Sequence, residues 1–562
     1  MPTDKDELIE YLKKTNEQQA LVINTLQSTI ANLQGNISEL QGTIANLNET
    51  IEELRRKLFG TSSEKVKKKE DSEEMVSTGE EKVLKVKEHT RTRKPKSVRK
   101  DLYESLPVRE VKYDVPENER ICPDCDAPMK HLGYTFVREE LRIIPAKVER
   151  IRIMREKLKC PVCHEEDVTT IVEAKVPTAL LAHSPASASM VSAVMYEKSF
   201  KYMPYYRQEA DWKQKGVPLP RETAANWYNT CALKYLLPIY DELHKTLIGR
   251  DIIHADETVC QVLHEKGKEA TSVSYMWIYT SGTDGLAPIA LYDYRSGRSG
   301  DYPIEFLQGF HGMLQCDGYA AYGRIEDVIL VCCLAHCRRK FYEAVPAARR
   351  KKLKLLDISS EQELKEPDES FIDDTEIIPA EKGVLFCNQL FFQERLIKEL
   401  SAEDRKEKRL EKETVIWENF WNWINTLNPS KGSKLEKAVN YAINHQETLM
   451  NYLKDGRCEI SNNAAERKAK AYATGRKNFL FHDTEDGAKA SAVVMSLIET
   501  AKMNNLNVFQ YLYVLLLYMP DYKDEPAGIE QLLPWSEFIK EKCSGVMDTE
   551  NLTPENRGSL QI

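Results

Sequence analysis

The sequence predicts a multidomain chain that joins all-α segments to an α/β core, and three observations predict it. Isoleucine and leucine recur every seven residues across 21–58; two Cys-x-x-Cys pairs flank a strand-like stretch; and two apolar runs each close on an aspartate, Ile252-Ile253-His254-Ala255-Asp256 and Met313-Leu314-Gln315-Cys316-Asp317. With 562 residues and 42% hydrophobic content, the chain has room for several packed cores. No apolar run approaches the roughly 20 residues of a membrane span, and the polar start lacks a secretory pattern, so a soluble, cytoplasmic protein is expected. A net charge of -9 excludes a protein that is basic throughout, yet leaves local basic clusters free to meet nucleic acid.

The repeat places Ile23, Ile30, Ile37, Ile44 and Ile51 in one register and Leu26, Leu33, Leu40, Leu47 and Leu54 three residues later. Isoleucine at a with leucine at d favours a parallel two-stranded coil, so residues 1–60 are expected to be a homodimerising coiled coil, with antiparallel and intramolecular pairings open. Gly35 and Gly42 fall at the outward f position and spare the seam. Residues 61–100 read as a charged linker ending in a basic run, Arg91 to Lys100, which is either a solvated tether or an arm that follows phosphates.

Residues 101–178 are expected to be a zinc-ribbon-like module. Cys122 with Cys125 and Cys160 with Cys163 supply four thiolates in two pairs, a set that closes a tetrahedral structural Zn2+ site and leaves no position for water. The other nine of the 13 cysteines are scattered, which fits a reducing compartment better than a disulfide framework. Residues 179–249 read as helical, with two short helices joined at 216–220; a helix-turn-helix DNA reader and a purely structural hairpin both fit.

From residue 250 the texture turns to strands, expected at 252–255, 275–280, 288–292, 312–316 and 328–333, with a helix starting near Ala335. That order is that of a ribonuclease-H-like core, here split into 250–345 and 457–504 around a helical insertion at 346–456, and followed by a small domain at 505–562. Asp256 and Asp317 close the first and fourth strands, and Glu466 opens a later helix. Three such carboxylates suit two Mg2+ or Mn2+ ions, with Asp256 bridging, Asp317 on one ion and Glu466 on the other. Each has a plain structural reading too: Asp256 a loop cap, Asp317 a turn residue before Gly318, and Glu466 the closing member of a capping box begun at Asn463. Glu257 is expected on the opposite face of its strand. His336 reads either as a residue behind the metal ligands or as a core histidine. Arg338, Arg339, Arg467, Arg476 and Lys477 form basic surfaces suited to a DNA strand.

The ordered motifs resemble one family, the insertion-sequence-66 type of transposase. They run from Leu54-Arg55-Arg56-Lys57-Leu58-Phe59-Gly60 through the paired knuckles, His254-Ala255-Asp256-Glu257-Thr258, Cys316-Asp317-Gly318-Tyr319 and Ala335-His336, to Asn462-Asn463, Gly475-Arg476-Lys477-Asn478 and Leu532-Leu533-Pro534-Trp535. Ser461, Leu334 and Phe479 depart from the family's usual Asp, Trp and Trp. The resemblance implies a DDE transposase with a zinc domain, whose partners are the DNA of element ends and target, a second copy of the chain and accessory proteins of the same element. It would be nucleoid-associated and would cleave and transfer strands with its triad; the alternative is a non-catalytic DNA-binding zinc protein derived from such an enzyme. In related enzymes insertions like 346–456 cover the element end, and a packed helical scaffold explains its tryptophans equally well.

Overall fold

The computed structural model describes Tyr134 and residues 148–159, 171–173, 176, 178–350 and 377–545. The coiled coil, the linker, the four knuckle cysteines and the acidic stretch at 357–376 lie outside the described residues. All elements below belong to the unit Glu140–Ile562.

Strand β1 (Lys157–Lys159) pairs antiparallel with β2 (Ile171–Glu173). A helical stretch follows: α1 (Ala188–Met195), α2 (Tyr205–Gln214), α3 (Arg221–Cys231) and α4 (Leu237–Ile248), with wide turns at Tyr196–Phe200 and Ala232–Leu236. The two helices expected around the 216–220 turn are α2 and α3, and Trp212, Trp227, Tyr228 and Cys231 bury their inner faces. Gly216, at φ 80°, supplies the left-handed step that ends α2.

The sheet that follows contains all five expected strands: β3 (Ile252–Cys260), β5 (Ser274–Ser281), β6 (Ala290–Arg295), β7 (Met313–Cys316) and β8 (Ile329–Cys332). Their order is β6-β5-β3-β7-β8, with β6, β5 and β3 antiparallel and β3, β7 and β8 parallel. The parallel steps need crossovers, and α5 (Asp301–Phe306) lies on the path into β7. Alternation divides the side chains between two cores. Ile253, Ala255, Trp277, Tyr279 and Leu291 face the large core, whereas Met276, Ile278, Tyr292 and Tyr294 face a smaller one shared with later helices.

After β8 come α6 (Leu334–Ala344), then α7 (Pro379–Leu396), α8 (Ala402–Asn425), α9 (Lys434–Asn444) and α10 (Gln446–Met450) of the insertion. The described part of the insertion packs on itself and on α6. Trp417 stacks on Trp421 at 5.5 Å, its Nε1 donates to Tyr452 Oη at 3.1 Å, and Phe341 of α6 meets Phe420 edge-on. Helix α11 (Asn463–Phe479) returns to the sheet over β3 and β5, and a short parallel ribbon joins β4 (Val262–His264) to β9 (His482–Thr484). Helices α12 (Glu485–Met503), α13 (Val508–Tyr522), α14 (Pro526–Gln531) and α15 (Glu537–Cys543) complete the chain's described part.

Both sheet edges are covered, which removes the free strand edges that invite aggregation. On the β6 side, the N–H groups of Ala290 and Tyr292 donate to Thr500 Oγ1 at 3.0 Å and Ser496 Oγ at 2.7 Å on α12. On the β8 side, Asn451 Nδ2 donates to Leu330 O at 2.8 Å. Among the described residues no helix is long and apolar enough to cross a membrane, and nine free cysteines are all buried.

Candidate active site

Asp256 lies mid-strand on β3, opposite Ile278 in register, and therefore on the sheet face that carries α11. Glu257 is opposite Trp277 and takes the other face, as expected. There it is claimed by Arg298, whose Nε donates to its Oε1 at 2.7 Å, and by Tyr322 Oη at 3.2 Å. Asp317 follows β7 directly. Its Oδ1 accepts from the Tyr319 N–H at 2.9 Å across Gly318, so the turn role read from the sequence is present together with the strand-end position.

Glu466 reaches this sheet end through a chain of backbone fastenings. The Gln315 side chain on β7 accepts from the Glu459 N–H at 2.9 Å and donates back to the Glu459 carbonyl; Leu334 N–H donates to Ile460 O at 3.0 Å; and Asn462 N–H donates to Cys333 Sγ at 3.1 Å. Asn462 then grips β3 itself, with Nδ2 donating to Ala255 O at 2.7 Å and Oδ1 accepting from His254 Nδ1 at 3.1 Å. The expected capping box is not formed. Asn462, one residue earlier than the pattern suggested, is the N-cap, and it makes no side-chain cap bond because its amide is spent on β3. Glu466 thus sits one position beyond the capping-box place, and its Oε1 is buried with no hydrogen-bond partner.

His336, on the first turn of α6, stands beside it. Its Nδ1 lies 3.7 Å from Glu466 Oε1, is likewise buried and unpartnered, and shares with Glu466 and Cys333 a cluster whose donor atoms all lie within 4.8 Å of one another. Burial depresses the His336 imidazole below its ordinary range, against the pull of Glu466. Asp256 is pushed up to about 7, chiefly by burial, then by Glu257, with further contributions from the charges of Asp317 and Glu466. Glu257, Asp317 and Glu466 thus all bear on the Asp256 carboxyl. Crowded carboxylates with an orphaned buried oxygen and an orphaned imidazole nitrogen are what a divalent cation would satisfy, so the donor set fits a metal.

The insertion contributes contacts that the sequence reading missed. Tyr441 Oη donates to Asp317 O at 2.9 Å, and His445 Nε2 lies 3.2 Å from Gly318 O. Gly318 has φ 85°, and a Cβ there would meet His445 Nε2 at 2.9 Å and Tyr441 Oη at 3.0 Å. The signal available in the sequence was the Tyr441/His445 spacing of four residues, which puts both on one helix face.

The expected DNA-facing cations divide. Arg339, Arg467 and Lys477 are exposed, Arg476 donates from Nη1 to Val259 O at 2.9 Å, and Arg338 is drawn inward, its Nε donating to Asn388 Oδ1 at 2.7 Å on α7. Cys122, Cys125, Cys160 and Cys163 lie outside the described residues.

A sheet that gathers acids from three separated segments beside basic helices has the donors to hold a divalent cation next to a phosphodiester backbone. Comparison with known families agrees. Residues 183–490 match the transposase IS66 family, 119–164 the zinc-finger binding domain of transposase IS66, 496–535 the IS66 C-terminal element, and 46–111 a family described as transposase C of IS166 homeodomain. The chain belongs to the IS66 family of transposases. It is also similar to the uncharacterized proteins y4hP and y4jD of Sinorhizobium fredii (strain NBRC 101917 / NGR234). The first is 27% identical over 88% of this chain and 89% of the relative, the second 28% identical over 77% and 81%.

Proposed function

We propose that this transposase binds the DNA ends of its element, hydrolyses the bond that frees a 3′ hydroxyl and directs that hydroxyl onto target DNA, with Asp256, Asp317 and Glu466 as its DDE triad. The core at 250–345 and 457–504 is read as ribonuclease-H-like, because antiparallel strands on one side of β3 and parallel strands on the other place the first acid centrally. The carrying observation is Glu466 Oε1, buried without a hydrogen bond 3.7 Å from the equally orphaned His336 Nδ1, on a helix that Asn462 ties to the residue before Asp256.

Bound at these acids, two Mg2+ or Mn2+ ions would supply Lewis-acid stabilisation of the phosphodiester and a nucleophile at neutral pH. The chain's own residues do the positioning. The Glu257 N–H donates to Asp256 Oδ1 at 2.9 Å and fixes that carboxylate's rotation; Tyr441 and Tyr319 fix the backbone and the carboxylate of Asp317; Asn462 sets the height of α11 over β3, and with it Glu466. His336 stands beside the third acid, 3.7 Å from its Oε1, close enough to share a bound cation or to back it. Arg339, Arg467, Arg476 and Lys477 hold the strand by its phosphates.

Around this core, the reading assigns a structural Zn2+ to Cys122, Cys125, Cys160 and Cys163, homodimerisation to 1–60, and a DNA-reading role to 179–249. The family's zinc-finger domain at 119–164 supports the first. The test is cleavage of the element's terminal DNA with Mg2+ by Asp256→Asn, Asp317→Asn and Glu466→Gln. Each is expected to drop to background while binding of the same DNA persists. If the variants cut as the parent does, the triad is wrong; if neither parent nor variants cut any end, the non-catalytic DNA-binding alternative stands.

A further inference from the structure

The basic helix α11 ends in a strained, apolar turn. Leu480 has φ 66° and ψ -56°, and the Phe481 N–H donates to Phe479 O at 2.8 Å, which closes a γ-turn with positive φ around a residue that is not glycine. Such turns are rare and unfavourable, and they persist only where the surroundings impose them. Their result here is an exposed pair, Leu480 at 61% and Phe481 at 41%.

The residues on either side are fixed. Phe479 lies under the Lys198 ammonium, 3.7 Å from the ring centroid, and its ring is 5.2 Å from that of His482. His482 N–H donates to Gln261 O at 2.9 Å and begins β9, paired with β4. Arg476 ties the last helical turn to Val259 O. The pair is thus presented by a rigid base, at the cost of strain and of two large apolar side chains in water.

What faces this tip is indicated by charge. Asn463, Arg467, Lys470, Thr474, Lys477 and Asn478 are exposed along α11 at intervals of three and four, a single polar stripe with three cations and no acid. Lys470 and Lys477 lie within about 40° of Glu466 around the helix axis. The first acids after the tip in the chain are Asp483, whose Oδ1 meets His264 Nδ1 at 3.0 Å, Glu485, whose Oε1 accepts from the Lys266 N–H at 2.8 Å, and exposed Asp486.

We infer that Leu480 and Phe481 are an apolar wedge that enters a base step of duplex DNA lying along the basic face of α11. The inference rests on the transposase reading above. A phosphate backbone tracking the stripe from Glu466 would bring the duplex onto the tip, where an aliphatic and an aromatic side chain can part a base step and stack on the opened face. The rise along α11 from Glu466 to Leu480 is about 21 Å, or roughly six base pairs of duplex. The wedge therefore acts inside the element end, away from the bond that is cut.

The experiment uses the full-length chain and duplexes cut from the two ends of its element, with 2-aminopurine placed singly along each. Wild type is expected to raise fluorescence at one site roughly six base pairs from the cleaved bond. The Leu480→Ala/Phe481→Ala protein should lose that signal and bind about tenfold more weakly, with its salt dependence kept; Phe481→Trp should restore the signal. Both positions are exposed, so folding is not at stake, and circular dichroism checks it. Wild type that binds and cuts the end without any 2-aminopurine rise overturns the wedge and leaves the transposase reading intact. A change in oligomeric state in the double variant with the fluorescence kept overturns it in favour of a protein contact. Wild type that binds no end DNA overturns the transposase reading, and the wedge with it.

Discussion

Asn462 Nδ2 donates to the carbonyl of Ala255 at 2.7 Å, joining the start of the helix that carries Glu466 to the strand residue just before Asp256. Two acids far apart in the chain are thereby held in one frame. Asn462→Ala would strand the Ala255 carbonyl and the His254 imidazole in a fully buried place, costing on the order of 1–3 kcal/mol. Urea unfolding should show that loss, and end cleavage should fall further than stability alone explains. Unchanged cleavage in a folded Asn462→Ala protein would remove the clamp from the mechanism.

Gly318→Ala is expected to damage the second acid. The backbone at φ 85° disfavours any side chain by about 1–2 kcal/mol, and the added methyl would press on His445 and Tyr441. Cleavage should drop at least about tenfold, with DNA affinity measured by anisotropy little changed. Tyr441→Phe, which removes only the bond to Asp317 O, should show a milder form of the same defect.

Arg409 is the keystone of the insertion. It is fully buried, donates from Nε and Nη2 to Glu394, and caps the carbonyls of Tyr452, Asp455 and Cys458. Arg409→Met would leave half-buried Glu394 with only the more distant Arg405, at 3.6 Å, and strip three carbonyls of their donor, so a loss of about 3 kcal/mol is expected, seen as a lowered Tm. A variant as stable as the parent would contradict this.

Glu413 gives the same region a pH dependence. Burial, then the charge of Glu394, push its carboxyl up to about 8, and Tyr452 Oη donates to its Oε2. The folded chain thus holds a proton that the unfolded chain releases near pH 4.5. That contribution to stability is fully present below about pH 4.5 and is lost as pH rises through about 8. Glu413→Gln should flatten Tm between pH 5 and 8.5 relative to wild type; parallel curves would refute the assignment.

Much of this was readable from residue order, because strands buried on both faces announce themselves as short apolar runs. All five sheet strands followed that way, whereas the place of the segment around Asn462 and Glu466 rested on the family resemblance. Local patterns misled where tertiary contacts outbid them. Asn463-Ala464-Ala465-Glu466 looked like a cap, but Asn462 had a stronger use for its amide on β3. Arg338, expected at the DNA, also has its Nε held by Asn388, fifty residues later, a contact the local pattern does not show. The grip of Tyr441 and His445 on the second acid could not be seen, since it depends on how the insertion folds back, and the turn at Leu480 is imposed by neighbours rather than by its own preference.

The fastening of residues 459–462 to β7, to Cys333 and Leu334 just after β8, and to β3 would also set when the protein can act. A chain still emerging from the ribosome, or cut short by a frameshift anywhere in the insertion, holds two acids on a sheet that lacks the covering helix and the third. On the function proposed above, a shortened copy would carry no complete triad, and strand cutting would wait until the helix bearing Glu466 had joined the sheet.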